Sequence, residues 1–214
     1  MKLYTYFRSS AAYRVRIALA LKGLGYEALP VHLLRHGGEQ LQQAYRAVNP
    51  SGLVPTLQDG EISLGQSLAI IEYLDETRPQ APLLPADAAG RARVRALALT
   101  VAADTHPLGN LRVLKYVTGE LQQTEEAKLA WQQHWLRTGM ATLEALLAGD
   151  AHTGRFCHGD QPGLADCCLA PQVFSAQRFG VDLAPYPTVM RIHEACAALP
   201  AFQRAHPSQQ PDAE

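Results

Sequence analysis

Apolar positions recur along this chain with two different periods, and the period decides which element each stretch predicts. Residues 2–7, KLYTYF, alternate in the manner of a strand. Residues 12–24 repeat apolar side chains three and four positions apart, and Gly23 and Gly25 end the pattern. These two stretches predict one strand followed by one helix.

The stretch up to residue 78 continues this alternation of short strands and helices. Strands are predicted at YEALPVHL, VPTLQ and EISL, the last two around the turn DG, and helices at GEQLQQAYRAV and SLAIIEYLDETR. The order strand-helix-strand, then helix-strand-strand-helix, fits a mixed four-stranded sheet with helices packed on it. We therefore predict an α/β domain over residues 1–78.

A proline-rich stretch then interrupts the pattern. Pro79, Pro82 and Pro85 disfavour regular structure, so we place a linker at 79–87. Helical periods follow, and helices are predicted at 91–117, 125–147, 164–178 and 188–198. We expect an all-α domain over 88–214, with a disordered tail at its end, HPSQQPDAE.

Composition and charge narrow the choice of partners. The 214 residues are 47% hydrophobic and 18% charged, with a net charge of -1, so the balance indicates neither a nucleic-acid nor a membrane partner. No stretch reaches the ~18 apolar residues of a spanning helix, and the start lacks a leader pattern, so we expect a cytoplasmic protein. Residues 2–22 nevertheless carry basic side chains and no acid, which suits either an anionic ligand or a solvated basic face.

The cysteines and histidines do not predict a metal site. Cys157, Cys167, Cys168 and Cys196 show no CxxC spacing, and we expect buried free thiols in a reducing compartment. The 8 histidines show no HxH or HxxxH spacing, so no metal is expected.

Short motifs point to a particular chemistry. In NPSGLVPTL, Val54 precedes Pro55 at the entrance to a strand. In GQSLAIIEYL, Gln66 and Ser67 open a helix, where free N–H groups and the dipole favour a carboxylate, although Ser67 also suits a plain N-cap. The stretch PGLADCCLAPQVF predicts the Asp166 half of a capping box.

These motifs, together with YFRSSAAYRVRIALALKG, PLGNLRVL and FGVDLAPYPT, make nearly the whole chain similar to the zeta class of glutathione transferases. That class usually reads SSCSWRVRIAL in the first block, where this chain has Ala11 for the cysteine and Tyr13 for the tryptophan. The resemblance implies a thioredoxin-like α/β domain followed by an all-α domain. It also implies glutathione as cofactor, a homodimer and a cis peptide bond before Pro55.

The resemblance further implies cis-trans isomerisation of a small dicarboxylic diketo acid. The glutathione thiolate adds to the enone, rotation becomes easy about the resulting single bond, and expulsion of the thiolate leaves the trans product. We favour conversion of maleylpyruvate to fumarylpyruvate in aromatic-acid (gentisate) catabolism. The alternatives are a maleylacetoacetate isomerase of tyrosine and phenylalanine catabolism, a conjugating or dehalogenating transferase, and a non-enzymatic scaffold.

Site residues follow by position in the class motifs. Those expected to bind glutathione are Ser9, Gln40, Val54, Pro55, Gln66, Ser67, His106 and Asn110. Those expected in catalysis are Arg8, Ser9, Ser10, His106 and Arg178.

Each catalytic residue has an expected role. Ser9 should stabilise the thiolate with help from Ser10 and the helix N-terminus, while Arg14 or Arg16 adds a distant positive field. Arg8 is the candidate clamp for a carboxylate or enolate.

The helical domain should complete the site near a break at Pro107 and Gly109. His106 stands where the class often has Gln, and is otherwise a surface or capping residue. Arg178 is a second clamp or a partner of its helix dipole.

Overall fold

A mixed four-stranded sheet organises the first part of the chain in the computed structural model, which describes residues 1–214. Its strands are β1 (Lys2–Thr5), β2 (Glu27–Pro30), β3 (Thr56–Asp59) and β4 (Ile62–Gly65). The spatial order is β2-β1-β3-β4, with β1 parallel to β2 and the other pairs antiparallel. The predicted mixed sheet is confirmed, with strands slightly shorter than the sequence suggested.

Helices α1 (Ser10–Leu21), α2 (Gln43–Arg46) and α3 (Ser67–Thr77) accompany this sheet. The apolar repeat that predicted α1 buries Val15, Ile17 and Leu19, and α1 packs against α3. This packing places the beginnings of α1 and α3 on the same layer of the fold. The two helix N-termini are the parts of this layer that matter for the site.

The helix predicted at GEQLQQAYRAV is mostly wrong. Only α2 is α-helical, and short 3-10 turns at Arg35–Gly37 and Glu39–Leu41 precede it. Gly38 has a φ of 111°, and a Cβ there would lie 2.7 Å from Gln40 Nε2. Gln42, between the second 3-10 turn and α2, is also extended, with φ -71° and ψ 149°, so no continuous helix crosses this stretch.

Helices α4 (Ala88–Leu99), α5 (Leu111–Gly119), α6 (Glu125–Leu147), α7 (Leu164–Arg178) and α8 (Pro187–Ala197) follow. The helix predicted at 91–117 is broken by a π turn at Thr100–Thr105 and a 3-10 turn at His106–Gly109. Pro107 cannot donate the amide that a continuous helix needs, which explains the break. None of these helices has the length and apolar character needed to span a membrane.

The predicted half of a capping box at α7 is confirmed. The Asp166 carboxylate accepts the Gly163 N–H at 2.9 Å and the Cys157 N–H at 2.9 Å. Burial raises the pKa of Asp166. The cysteines are all free and buried, as predicted, and burial raises the pKa values of Cys157, Cys167 and Cys196.

The C-terminal segment differs from its prediction. Residues 200–205 form α9 (Pro200–Ala205), a 3-10 turn at Pro207–Gln209 follows, and α9 packs on α1. Gln210 is 9% exposed, and its Nε2 donates to the carbonyls of Arg204 and His206 at 2.9 and 3.0 Å. The disorder predicted for HPSQQPDAE is therefore wrong, because this polar tail finds its partners within the fold.

The chain divides into two compact units. Unit 1 comprises Met1–Leu83 and Ala198–Glu214, and unit 2 comprises Leu84–Ala197. The break between them falls inside the predicted linker at 79–87. The end of the predicted helical domain, however, belongs to unit 1, because α9 and the tail pack with α1.

Candidate functional site

The joint between β1 and α1 holds the hydroxyls of the first motif. Residues 6–9 form a tight turn that the Ser9 N–H closes on the Tyr6 carbonyl at 2.9 Å. Ser9 is the N-cap of α1, and its Oγ accepts the Ala12 N–H at 3.2 Å. Ser10 is the first residue of the helix. The capping bond uses a lone pair of Ser9, so its hydroxyl proton can still be donated to a ligand.

Arg8 lies in the same turn and is half-buried. Its guanidinium carbon is 4.7 Å from the centre of the Phe7 ring. Stacking on an aromatic ring uses the flat face of a guanidinium and leaves the N–H groups at its edge for oxygen acceptors. The turn therefore carries a cation on the residue that precedes Ser9.

The basic side chains that follow do not form a solvated face. Arg14 is 2% exposed and Arg16 is 1% exposed. Lys22 is also enclosed, paired with Asp75 at 2.8 Å. The sequence left open a solvated basic face, and the structure excludes it for these residues.

Arg16 is an internal brace for the turn. It donates from Nη1 to Thr5 Oγ1 at 3.0 Å and to the Tyr6 carbonyl at 3.2 Å, and from Nη2 to the Phe7 carbonyl at 3.0 Å. Burial lowers the pKa of Arg16 to about 10, which leaves it charged at neutral pH. Its side chain thus fixes the two carbonyls that precede Arg8.

The N-terminus of α3 is built for an anion. Gln66 is the exposed N-cap, with φ 65° and ψ 113°, so the alternative of a plain Ser67 N-cap is wrong. A non-glycine residue in such a conformation costs ~1–3 kcal/mol, and such strain is commonly found at binding sites. Ser67 is 5% exposed and accepts a hydrogen bond from Arg14 Nη1 at 3.2 Å. The buried charge adds to the positive end of the helix dipole.

The loop before β3 presents backbone groups. The Val54–Pro55 peptide bond is cis, as predicted. The Leu53 carbonyl is held by the Tyr45 hydroxyl at 2.7 Å and by Asn49 Nδ2 at 2.9 Å. Val54 lies outside the strand ladder, so its N–H and C=O can pair with an extended peptide. Sequence reasoning missed the roles of Tyr45 and Asn49, which have no motif of their own.

Gln40 precedes this loop in the sequence, and its side chain is buried, at 7% exposure. Its Nε2 is 3.4 Å from the Leu33 carbonyl, and its Oε1 has no hydrogen-bond partner in the protein. A buried amide oxygen without a partner is suited to accept an N–H from a peptide ligand. Gln40 is therefore compatible with the binding role predicted for it.

The predicted residues of unit 2 lie on separate elements. His106 begins the 3-10 turn, and Asn110 caps α5 by accepting the Arg112 N–H at 3.1 Å. Trp131 Nε1 anchors this turn by donating to the Leu108 carbonyl at 2.8 Å. Arg178 ends α7, with its guanidinium carbon 5.1 Å from the centre of the Phe179 ring. The structure thus places His106 and Asn110 on one turn and Arg178 on another helix.

Unit 1 as a whole suits an extended peptide that carries a carboxylate and a thiol. The α3 N-terminus can hold the carboxylate, the Val54 backbone can pair with the peptide, and the Ser9 hydroxyl can donate to the sulfur. No group of three or more His, Cys, Asp or Glu side chains in residues 1–214 is arranged to hold a metal ion.

Comparison with protein families gives the same picture. A family model described as the N-terminal domain of glutathione S-transferase matches residues 3–82. A second, described as the C-terminal domain of glutathione S-transferase, matches residues 125–207.

Individual proteins match over nearly the whole chain. A probable maleylacetoacetate isomerase from Vibrio cholerae is 52% identical over 99% of this chain and 97% of its own length. A solved maleylpyruvate isomerase, described as a bacterial zeta-class glutathione S-transferase, is 51% identical, with full coverage of both chains and a TM-score of 0.97. A maleylacetoacetate isomerase from Methylobacterium extorquens AM1, solved with malonate and glutathione, is 46% identical, with full coverage of both chains and a TM-score of 0.96. The chain therefore belongs to the glutathione S-transferase family, in its zeta class.

Proposed function

We propose that this protein is a glutathione-dependent cis-trans isomerase that converts maleylpyruvate to fumarylpyruvate in the catabolism of aromatic acids such as gentisate. The observation that carries the proposal is the Ser9 hydroxyl at the N-terminus of α1, in the turn that also contains Arg8. Relatives support the proposal, because proteins about half identical to this chain along their whole length are named as isomerases of this kind.

Glutathione fits the features of unit 1. Its γ-glutamyl carboxylate suits the α3 N-terminus, where Ser67 and the buried Arg14 lie. Its peptide groups suit the backbone of Val54 and the unused oxygen of Gln40. These residues bind and orient the cofactor, and none of them reacts.

When bound, glutathione supplies the thiolate that adds reversibly to the conjugated cis double bond and permits rotation about it. The Ser9 hydroxyl would donate a hydrogen bond to the sulfur and keep its proton, and the first N–H groups of α1 would add the positive end of the helix dipole. A free thiol has a pKa of ~8.5, and lowering it by ~2 units requires ~2.7 kcal/mol of preferential stabilisation of the anion. One charge-assisted hydrogen bond and a helix N-terminus are of the size required.

Arg8 binds the substrate. Its guanidinium edge offers paired N–H groups, which match a carboxylate or an oxygen that gains negative charge during the reaction. Ser10 assists Ser9 at the helix start. The roles of His106, Asn110 and Arg178 toward cofactor and substrate stay predictions.

A second candidate substrate is maleylacetoacetate, because the 52% identical relative carries that name. Maleylpyruvate is shorter by one methylene and has a keto group beside its distal carboxylate, which suits a strongly cationic site. A surplus methylene is discriminated by only ~1–3 kcal/mol, so activity on both diacids is expected.

We also propose a homodimer located in the cytoplasm. The four buried free thiols suit a reducing compartment. Sedimentation at micromolar concentration should give twice the 23.3 kDa of the chain, and a mass near 23.3 kDa would contradict the dimer.

The test of the function is turnover of both diacids in the presence and absence of glutathione. We expect glutathione-dependent isomerisation without consumption of glutathione, with a higher kcat/KM for maleylpyruvate. Consumption of glutathione with haloacids or other electrophiles, without isomerisation, would favour the transferase alternative. A chain that neither binds glutathione nor is thermally stabilised by it at millimolar concentration would favour a scaffold.

A further inference from the structure

The turn at residues 6–9 is held by groups from distant parts of the sequence. The Phe7 N–H, which the turn itself cannot satisfy, donates to Asp212 Oδ2 at 2.9 Å. Asp212 is two residues from the C-terminus, so the last part of the chain reaches the joint that carries Ser9.

The end of α9, which leads into this tail, also holds Arg16, the side chain that braces the other side of the turn. Arg16 Nε donates to the carbonyl of Ala205 at 3.1 Å, at the end of α9. The charge of Asp212 lies close enough to Arg16 to favour its charged form. The two polar contacts on the backbone of Phe7 therefore come from Asp212 and from Arg16, and the end of α9 helps to hold Arg16.

The tail is itself well fixed. Gln210 ties it back to the end of α9 through two carbonyls, at 2.9 and 3.0 Å. His206 packs edge-on against Tyr13 of α1, with ring centres 6.0 Å apart. Beyond Asp212, Glu214 pairs with Arg35 and lies 3.4 Å from His32 Nε2. The tail is thus held by contacts at His206, Gln210 and Glu214.

We propose that Asp212 is a positioning residue for thiol activation: by holding the Phe7 N–H, it sets the turn that orients the Ser9 hydroxyl. The proposal rests on the function proposed above. Asp212 touches neither cofactor nor substrate in this role. Donor geometry at such a site must hold to about 0.5 Å, so a loosened turn weakens activation before it weakens binding.

The hydrogen bond and the charge of Asp212 predict opposite effects on the pKa of the bound thiol. A carboxylate near a thiolate disfavours the thiolate, so loss of its charge alone would lower the thiol pKa. Loss of its hydrogen bond to Phe7 would let the Ser9 hydroxyl move away, which would raise the thiol pKa. An amide at this position removes the charge and keeps an acceptor oxygen, so it separates the two effects.

The experiment is ultraviolet titration of the bound glutathione thiolate in the full-length protein and its variants, with kcat/KM and the glutathione Kd measured alongside. In Asp212→Ala we expect the titration midpoint to rise by about 0.5–1 pH unit and kcat/KM at neutral pH to fall about tenfold, with a smaller change in Kd. In Asp212→Asn we expect a midpoint at or slightly below that of the parent. The matched control is Glu214→Ala, which removes a carboxylate from the same tail and should keep the parent midpoint.

Two results would overturn the proposal: a folded Asp212→Ala protein with the parent midpoint or a lower one, or an Asp212→Asn midpoint raised as far as that of the alanine variant. If the alanine variant does not fold, Asp212→Glu replaces it, because it keeps the charge and displaces the acceptor by one methylene. A thiolate titration midpoint in Asp212→Glu equal to that of the parent would also overturn the proposal. A parent that ionises glutathione but does not isomerise either diacid contradicts the proposed function alone. A parent that does not bind glutathione overturns both.

Discussion

Arg14 of α1 donates a hydrogen bond from Nη1 to the Oγ of Ser67, the first residue of α3, across 3.2 Å. Both side chains are buried, at 2% and 5% exposure. The bond joins α1, whose N-cap is Ser9, to α3, whose N-cap is Gln66. A positive charge is thereby fixed beneath the point where we propose that the carboxylate of glutathione binds.

We expect Arg14→Lys to weaken glutathione binding about tenfold, since a lysine cannot reproduce the planar fork and its charge moves. Calorimetry gives the Kd. Arg137→Lys, on an exposed part of α6, is the matched control and should bind as the parent does. Ser67→Ala should raise the glutathione Kd by a smaller factor in the Arg14→Lys variant than in the parent, because the two residues are coupled. Additive losses of binding free energy in the two variants would show that the Arg14–Ser67 hydrogen bond does not contribute to glutathione binding.

Ser9→Ala should raise the pH midpoint of the bound thiolate more than it raises the Kd for glutathione. It also removes a helix cap, at a cost of about 1 kcal/mol in the free energy of unfolding. Ser9→Gly separates the two effects, because glycine is nearly as good a cap and lacks the hydroxyl. We expect near-parent stability and a raised midpoint in Ser9→Gly. If only Ser10→Ala moves the midpoint, the two serines have the reverse roles.

His106→Gln tests the prediction that this histidine helps select the substrate. Loss of a chargeable donor should lower the preference for maleylpyruvate over maleylacetoacetate, by roughly the ~1–3 kcal/mol of one hydrogen bond to a charged group. The ratio of the two kcat/KM values is the measurement. An unchanged ratio would contradict a role for His106 in discrimination.

Asp166→Ala should destabilise the fold without a direct effect on chemistry. It leaves the N–H groups of Gly163 and Cys157 unpaired in a buried place, at a cost of about 2–4 kcal/mol. Thermal unfolding gives the change in Tm. The control is Asp182→Ala, an exposed aspartate that accepts one local N–H, from Ala184. Equal decreases in Tm in the two variants would contradict a special contribution of the Asp166 cap of α7 to stability.

Local patterns predicted the four strands and several of the longer helices of this chain because their causes are local. The apolar periods gave helices at 125–147 and 164–178 with the bounds that the structure shows. The resemblance supplied the cis bond at Pro55. The site residues proposed for unit 1 were assigned from short motifs, and their roles stay predictions.

The remaining features depend on partners that are distant in sequence. The sequence left open a solvated basic face that included Arg16, and one acceptor of its buried guanidinium, the Ala205 carbonyl, is 189 positions away. The tail looked disordered because it is polar, but Gln210 donates to two carbonyls and Asp212 Oδ2 accepts the Phe7 N–H inside the fold. No single-sequence period reports such long-range pairing.

The four buried free cysteines have a practical consequence. The native chain exposes no thiol, and the class cysteine of the first motif is replaced by Ala11. Alkylating reagents should therefore be slow to modify the folded protein and should modify it as it opens, so labelling reports unfolding. Conversely, Ala11→Cys would introduce one half-buried thiol at the start of α1 against a silent background. The folded chain therefore has no exposed cysteine that would compete with a spectroscopic probe placed beside the site.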